Sequence, residues 1–250
     1  MQPLRGRTNA PSTAARRGDR LTGDDVDAFA DKRRRMVDEQ ITARGVIDPV
    51  VLRAMRAVPR EKFVPSSAAE VAYEDSPVPI EEGQTISQPY VVALMAEALR
   101  LTGRDRVLEI GAGSGYGAAV LSRIAAEVYA IERHASLAEL ARRRMKDLGF
   151  GNVHVIHGDG TLGWSERAPY NGIVVAAGGP SVPEALRSQL AIGGRLVIPV
   201  GASQQVQELV RVTRIGPDDY RQEELGTVRF VPLIGAQGWI GGVQAVGRRP

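Results

Sequence analysis

The 250-residue chain predicts an α/β fold: a mostly parallel sheet with helices on both faces, preceded by N-terminal helices and finished by an antiparallel hairpin. Three observations carry this. Short apolar runs at 107–110, 127–131, 153–156, 172–176 and 195–198 alternate with helical stretches at 117–124, 135–148 and 183–190, the rhythm of βαβ units. The first strand-to-helix turn holds glycines at 111, 113, 115 and 117. Two later runs, 206–215 and 223–231, flank Gly216-Pro217-Asp218-Asp219 and read as a hairpin added to the sheet edge.

Taken in order, residues 1–24 are rich in Arg, Gly, Pro, Ser and Thr without periodicity and read as a disordered basic tail. A helix is expected over 25–44, capped by Thr22 or Asp24, with Val26, Phe29, Met36, Val37 and Ile41 as an imperfect apolar stripe and Gly45 as its stop. Asp48-Pro49 opens a second helix running to Val58. A proline-punctuated loop spans Tyr73 to Gly83, and Pro89 opens a helix through Leu101. One domain is expected over 25–240: helices and a loop region (25–103), the sheet core (104–200) and the antiparallel strands (201–240), with a tail at 241–250. The Lys32–Arg35 and Arg142–Arg144 clusters read as solvated helix faces, and Trp164 and Trp239 as packing residues, Trp239 also as a seal on a pocket after the last strand.

Composition excludes several chemistries. There is no cysteine, so disulfides, thiolate catalysis and thiolate-bound zinc drop out. Three histidines (His134, His154, His157) lack metal-site spacing; the last two lie on opposite faces of one strand, and no metal is expected. No run approaches the roughly 18 apolar residues of a membrane span, and the first 30 residues lack the apolar core of a signal peptide, so a cytoplasmic protein without a membrane partner is expected. Net charge is +3, but residues 1–35 carry nine Lys/Arg against five Asp/Glu, and the rest 23 against 24. A near-neutral body argues against a nucleic-acid partner. A monomer is expected.

The chemistry gathers at the strand ends. After the strand Val107–Ile110, the glycine turn lets the backbone approach a ligand and aims helix-start N–H groups at it. Counted from Gly113 the turn reads G-x-G-x-x-A, so a dinucleotide stays open; the fuller match is Glu109-x-Gly111-x-Gly113-x-Gly115, which resembles the first motif of class I AdoMet-dependent methyltransferases. The ligand expected from that resemblance is S-adenosyl-L-methionine, with S-adenosyl-L-homocysteine as product, held by Glu109, Gly111, Ala112, Gly113 and Gly115. Glu132, beside Arg133, ends the second strand, where a carboxylate accepts from ribose hydroxyls. Asp159, beside Gly160, follows the third strand and is placed to accept from an adenine amino group.

Before the core lies a polar loop, Gln84-Thr85-Ile86-Ser87, in which Ser87 could simply cap the helix at Pro89. The segments Val58–Val64 (VPREKFV), Gln84–Tyr90 (QTISQPY), Val107–Gly117, His157–Gly160, Gly193–Gly201 and Val228–Leu233, in this order over residues 33–239, resemble the bacterial protein-L-isoaspartate (D-aspartate) O-methyltransferase family. The resemblance implies a Rossmann-like class I methyltransferase fold and methylation of the free α-carboxylate of L-isoaspartyl, and also D-aspartyl, residues in damaged proteins, whose ester then closes to a succinimide. It carries the family's active-site serine onto Ser87, with Thr85 beside it, and has Gln84–Ser87 close over the cofactor. The small residues Val174–Pro180 leave room for a peptide backbone, while Asn171-Gly172, Ala176–Gly179 and Glu81 depart from the family pattern. Two other readings are a carboxyl methyltransferase acting on a dedicated peptide precursor, whose kind carries an added C-terminal domain, and a non-catalytic AdoMet- or NAD-binding module.

Overall fold

A computed structural model describes residues 24–203 and 205–240. The expected tails and the Thr22 cap lie outside these residues, Asp24 excepted. Helix α1 (Asp24–Arg35) does not run on to residue 44 as expected. It passes into a π-helical turn, Met36–Ile41, and a 3-10 turn, Thr42–Arg44, closed by Gly45 at φ 95°. The wider winding has a packing reason. Met36 and Ile41 are five residues apart and both fully buried; an i→i+5 turn brings them closer to one face than the roughly 140° separation of a 3.6-residue helix. Helix α2 (Pro49–Ala57) starts as its sequence dictates, with Asp48 Oδ1 accepting from the Val50 N–H at 2.7 Å.

Two short strands, β1 (Val78–Pro79) and β2 (Thr85–Ile86), pair antiparallel as a ribbon separate from the main sheet. Helix α3 (Pro89–Leu99) follows and stops two residues early, because Arg100 adopts a left-handed conformation. The alternating core then gives β3 (Arg106–Ile110), α4 (Tyr116–Ser122), β4 (Glu127–Glu132), α5 (Ala135–Asp147), β5 (Val153–His157), β6 (Tyr170–Val175), α6 (Glu184–Ser188) and β7 (Leu190–Val200). Strands β8 (Gln207–Arg214) and β9 (Tyr220–Val228) complete it. The last strand ends three residues before its expected limit, β7 is longer than expected, and α6 shorter. The β7 extension follows from pairing on both sides: Leu190 joins Tyr170 of β6 across a register shift, and Arg195–Val200 pairs with β8.

The seven strands lie in the order β5-β4-β3-β6-β7-β8-β9, parallel from β5 to β7 and antiparallel beyond. Period-two burial divides each strand between two cores. Val107, Val128, Val174 and Val197 face α2 to α5; Leu108, Ile131, Ile173 and Leu196 face α6. Each such side chain taken fully from water contributes about 1.5–3 kcal/mol before entropy. Strand order reverses between β3 and β6, so the crevice beyond their C-terminal ends is where an open α/β sheet receives a ligand.

Candidate active site

The turn after β3 is possible only with glycine. Gly111, Gly113 and Gly115 have φ of 84°, 52° and 93°, a region other residues enter at a steric cost. Four of the turn's N–H groups are already bonded within the protein. Gly111 N and Ala112 N donate to Ile131 O, Gly113 N to Glu132 Oε2, and Gly115 N to Ala112 O. The loop is thus stitched to the end of β4, and what it presents to the cavities is shape beside two carboxylates. Gly115 is not on a cavity wall; a β-carbon there would meet Met145 and Ala141 of α5, so its role is loop-to-helix packing.

Glu109 points from β3 toward the helical face and is buried beneath α4. Burial pushes its carboxyl up to about 8, opposed by the Ala118 N–H and reinforced by the negative charge of Glu132. Its Oε2 has no hydrogen-bond partner among the described residues. Glu132 is also buried, but its oxygens are occupied: Oε2 by Gly113 N and Oε1 by His134 N, each at 2.8 Å, which leaves one lone pair on each for a hydroxyl.

Three cavities meet at this edge. One of about 70 Å³ is walled by Ile86, Glu109, Ala112, Ser114, Tyr116 and Phe230. A second, also about 70 Å³, is walled by Gln84, Glu132, Arg133, His134, Gly160 and Leu233. A third is an open groove of about 700 Å³ between α3 and the last strands, bordered by Arg44, Tyr90, Val206, Thr227 and Arg229. Gly111 and Gly113 wall the first two. Thr85 and Ala176 line all three, and Ser87 and Phe230 line both the first and the groove. Ser87 does not cap α3: the cap position is Gln88, which makes no side-chain cap bond.

The structure gives Asp159 different neighbours from those read in sequence. Burial alone would raise its carboxyl, but bonds from Ala236 N, the Thr161 hydroxyl and Thr161 N outweigh that and hold it below the usual range. Oδ1 takes both Thr161 donors (2.7 and 2.9 Å) and Oδ2 the Ala236 N–H (2.8 Å). Asp159 therefore caps the turn Gly160–Leu162 and staples the C-terminal segment beside the second cavity, without itself lining it. Trp239 lines none of these cavities; its Nε1 donates to Gly178 O at 2.9 Å.

Several site residues had weak signals in the sequence. Ala176 and Phe230 lie in segments already singled out, yet nothing local marks them as walls. Arg144 falls in a cluster read as a solvated face. Arg142 and Arg143 do pair with Glu139, but Arg144 Nη1 donates to Ser114 O at 3.2 Å and so holds the glycine turn. Lys32 and Arg34 pair with exposed Glu70 and with Asp31, as a solvated cluster does, whereas Arg33 turns inward to half-buried Glu61 and the Tyr73 hydroxyl. Asn171, a departure from the family pattern, accepts the Arg106 N–H at 2.9 Å, and a β-carbon on Gly172 would press on Leu101.

These residues fit S-adenosyl-L-methionine. The orphaned Glu109 Oε2 suits the cofactor's ammonium, the open lone pairs of Glu132 suit a ribose diol, and the cavity between them is bounded by the glycine turn.

Comparison with known proteins agrees. A family model described as protein-L-isoaspartate(D-aspartate) O-methyltransferase matches residues 31–238. Protein-L-isoaspartate O-methyltransferase 1 of Rhodopseudomonas palustris (strain HaA2) is 62% identical over 216 residues, 86% of this chain and 88% of that protein. Protein-L-isoaspartate O-methyltransferase 2 of Pelobacter propionicus is 62% identical over 83% of this chain and 92% of its own. Among solved structures, a protein-L-isoaspartate O-methyltransferase superposes with TM-score 0.74 at 33% identity, covering 82% of this chain and 67% of that one. A Plasmodium falciparum structure assigned to the same activity, in complex with S-adenosyl-L-homocysteine, gives 0.69 at 27% identity, covering 81% and 98%.

Proposed function

This chain belongs to the protein-L-isoaspartate(D-aspartate) O-methyltransferase family, and from that premise we propose that it methylates the free α-carboxylate of L-isoaspartyl, and of D-aspartyl, residues in damaged proteins. The observation that carries the reading is the meeting of three cavities at Thr85 and Ala176, with the Ser87 and Phe230 walls shared between the Glu109 cavity and the open groove. A donor held in the two small cavities faces an acceptor lying in the groove across those residues.

S-adenosyl-L-methionine supplies an electrophilic methyl group on a sulfonium. Glu109, Ala112 and Gly113 would hold its amino-acid end, Glu132 and Arg133 would border its ribose, and Gly160, positioned by Asp159, would border its base. Gln84–Ser87 covers it from the acceptor side. The acceptor needs no general base, since an α-carboxyl with a pKa of about 3.3–3.7 is already ionised near neutral pH. The protein's task is to keep nucleophile and methyl in line at roughly 3–3.5 Å and away from water. The hydroxyls of Ser87 and Thr85 donate to the carboxylate and orient one oxygen. The resulting ester closes spontaneously to a succinimide, which hydrolyses in part to normal aspartate.

We read the enzyme as a single-domain cytoplasmic monomer that acts on proteins, with neither nucleic acid nor membrane as partner; the near-neutral charge of residues 36–250 supports this. Among the described residues no helix is long and apolar enough to cross a membrane. The test is methylation of an isoaspartyl peptide against its matched aspartyl peptide. One ester per isoaspartate and none on the control is expected, and equal labelling of both overturns the reading.

A further inference from the structure

Arg60 is the largest of the fully buried side chains among the described residues. Its partners are carbonyls and a ring rather than a carboxylate. Nε donates to Ala72 O at 2.6 Å, Nη2 donates to Ser87 O at 2.7 Å, and the guanidinium carbon stands 4.7 Å from the centre of the Tyr116 ring. Nη1 has no hydrogen-bond partner among the described residues. Such an arrangement is expensive. An apolar side chain of similar volume would fill the space without desolvating a charge or stranding a donor.

What the guanidinium does that an apolar group cannot is bridge. Its planar fork holds two carbonyls 15 positions apart in sequence while its face rests on Tyr116. Ser87 O belongs to a residue that lines both the Glu109 cavity and the groove. Tyr116 is the first residue of α4, directly after the glycine turn, and walls the same cavity as Glu109. Phe63, from the same segment as Arg60, packs edge-on against Tyr116 at 5.6 Å and fixes that ring from a second side.

We propose that Arg60 is a positioning residue for methyl transfer. It sets the Ser87 hydroxyl relative to the glycine turn by clamping the Ser87 carbonyl on one side and seating on Tyr116 on the other. It touches neither cofactor nor acceptor and acts through Ser87. This rests on the reading of Ser87 given above.

The test uses the full-length chain with Arg60→Lys, Arg60→Met, Ser87→Ala and the double variant Arg60→Lys/Ser87→Ala. A lysine keeps the charge but cannot reach both carbonyls in one plane. Arg60→Lys is expected to lower kcat on an isoaspartyl peptide roughly 10- to 100-fold, the scale of an ångström-sized misplacement. The dissociation constant for S-adenosyl-L-methionine, measured by calorimetry, is expected to stay within about threefold, which a general loss of structure would not allow. Adding Ser87→Ala to Arg60→Lys should cost less than about twofold more, because the two residues act as one unit. Amide exchange at residues 84–90 should quicken by about tenfold or more in Arg60→Lys with α5 unchanged. Arg60→Met should show the same pattern more strongly; if it fails to fold, Arg60→Lys decides alone. The proposal is overturned by a kcat loss under about twofold, by losses that multiply independently in the double variant, or by cofactor affinity falling in step with kcat. If the wild-type chain does not methylate isoaspartyl peptides, the proposed function fails. The exchange experiment then still decides whether Arg60 holds the 84–90 segment: unchanged exchange overturns the clamp, and quickened exchange supports it.

Discussion

The carboxylate of Glu109 lies where a β-carbon on Gly117 would have to be, so β3 and α4 meet through an acid pressed against a glycine. Gly117 has no positive φ, and its requirement is purely one of space. Gly117→Ala must therefore displace the carboxylate or the helix, at the cost of about 1–3 kcal/mol typical of overpacking. Calorimetry should show affinity for S-adenosyl-L-methionine reduced about tenfold or more. An unchanged dissociation constant would show that Glu109 takes no part in the pocket.

Glu109→Gln separates stability from binding. The carboxyl sits near 8 because burial and Glu132 outweigh the Ala118 N–H. A carboxyl whose pKa is raised by folding keeps its proton in the folded state between about pH 4.5 and 8, so stability falls as pH climbs through that interval and levels off above it. Glutamine never ionises. The ligand-free variant should melt roughly 10 °C or more above wild type at pH 9 and close to it at pH 5, while its affinity for S-adenosyl-L-methionine is lower at both. Parallel melting curves across the range would remove Glu109 as the titrating group.

Ser87→Ala should reduce kcat roughly 10- to 100-fold and leave the cofactor dissociation constant within about threefold, the pattern of a donor used mainly as the methyl moves. A large loss of cofactor affinity would make Ser87 a cofactor residue instead.

Asp159→Ala removes a cap and three hydrogen bonds together. A loss of about 1–2 kcal/mol is expected near neutral pH, along with weaker cofactor binding as the Gly160 wall loosens. The Asp159 carboxyl is held below its usual range, so this stabilisation exists above an unfolded value of about 3.9 and is lost as pH falls through the folded one. Denaturant titrations of variant and wild type should begin to converge only as pH falls below about 4. A constant gap down to low pH would contradict the assignment of the charge.

What the sequence displayed depended on the range of the interaction. The β3–turn–α4 unit was legible because its signals lie within a dozen residues: apolar alternation, then glycines where φ must be positive. Glu132 was legible because a strand end fixes its position. Asp159 was legible as a residue near the site but not in its partners, since Ala236 lies 77 positions away. Arg60 had no local signal at all: an arginine in VPREKFV reads as exposed, and only tertiary packing buries it. The π-turn at Met36–Ile41 escaped for the same reason, because burial of both its ends overrode helical winding.

The β1–β2 ribbon has a consequence for how Thr85 and Ser87 move. The donor site proposed above lies at the edge of the seven-stranded sheet, but Thr85 sits in, and Ser87 directly follows, a two-stranded appendage with its own register, Val78 opposite Ile86 and Pro79 opposite Thr85. Its tip is moored to α5 through Glu82 and Ser136, and its far end is gripped by Arg60. Thr85 and Ser87 therefore ride on a part that shares no strand pairing with the main sheet, and a shift of the ribbon moves the two together relative to the sheet edge.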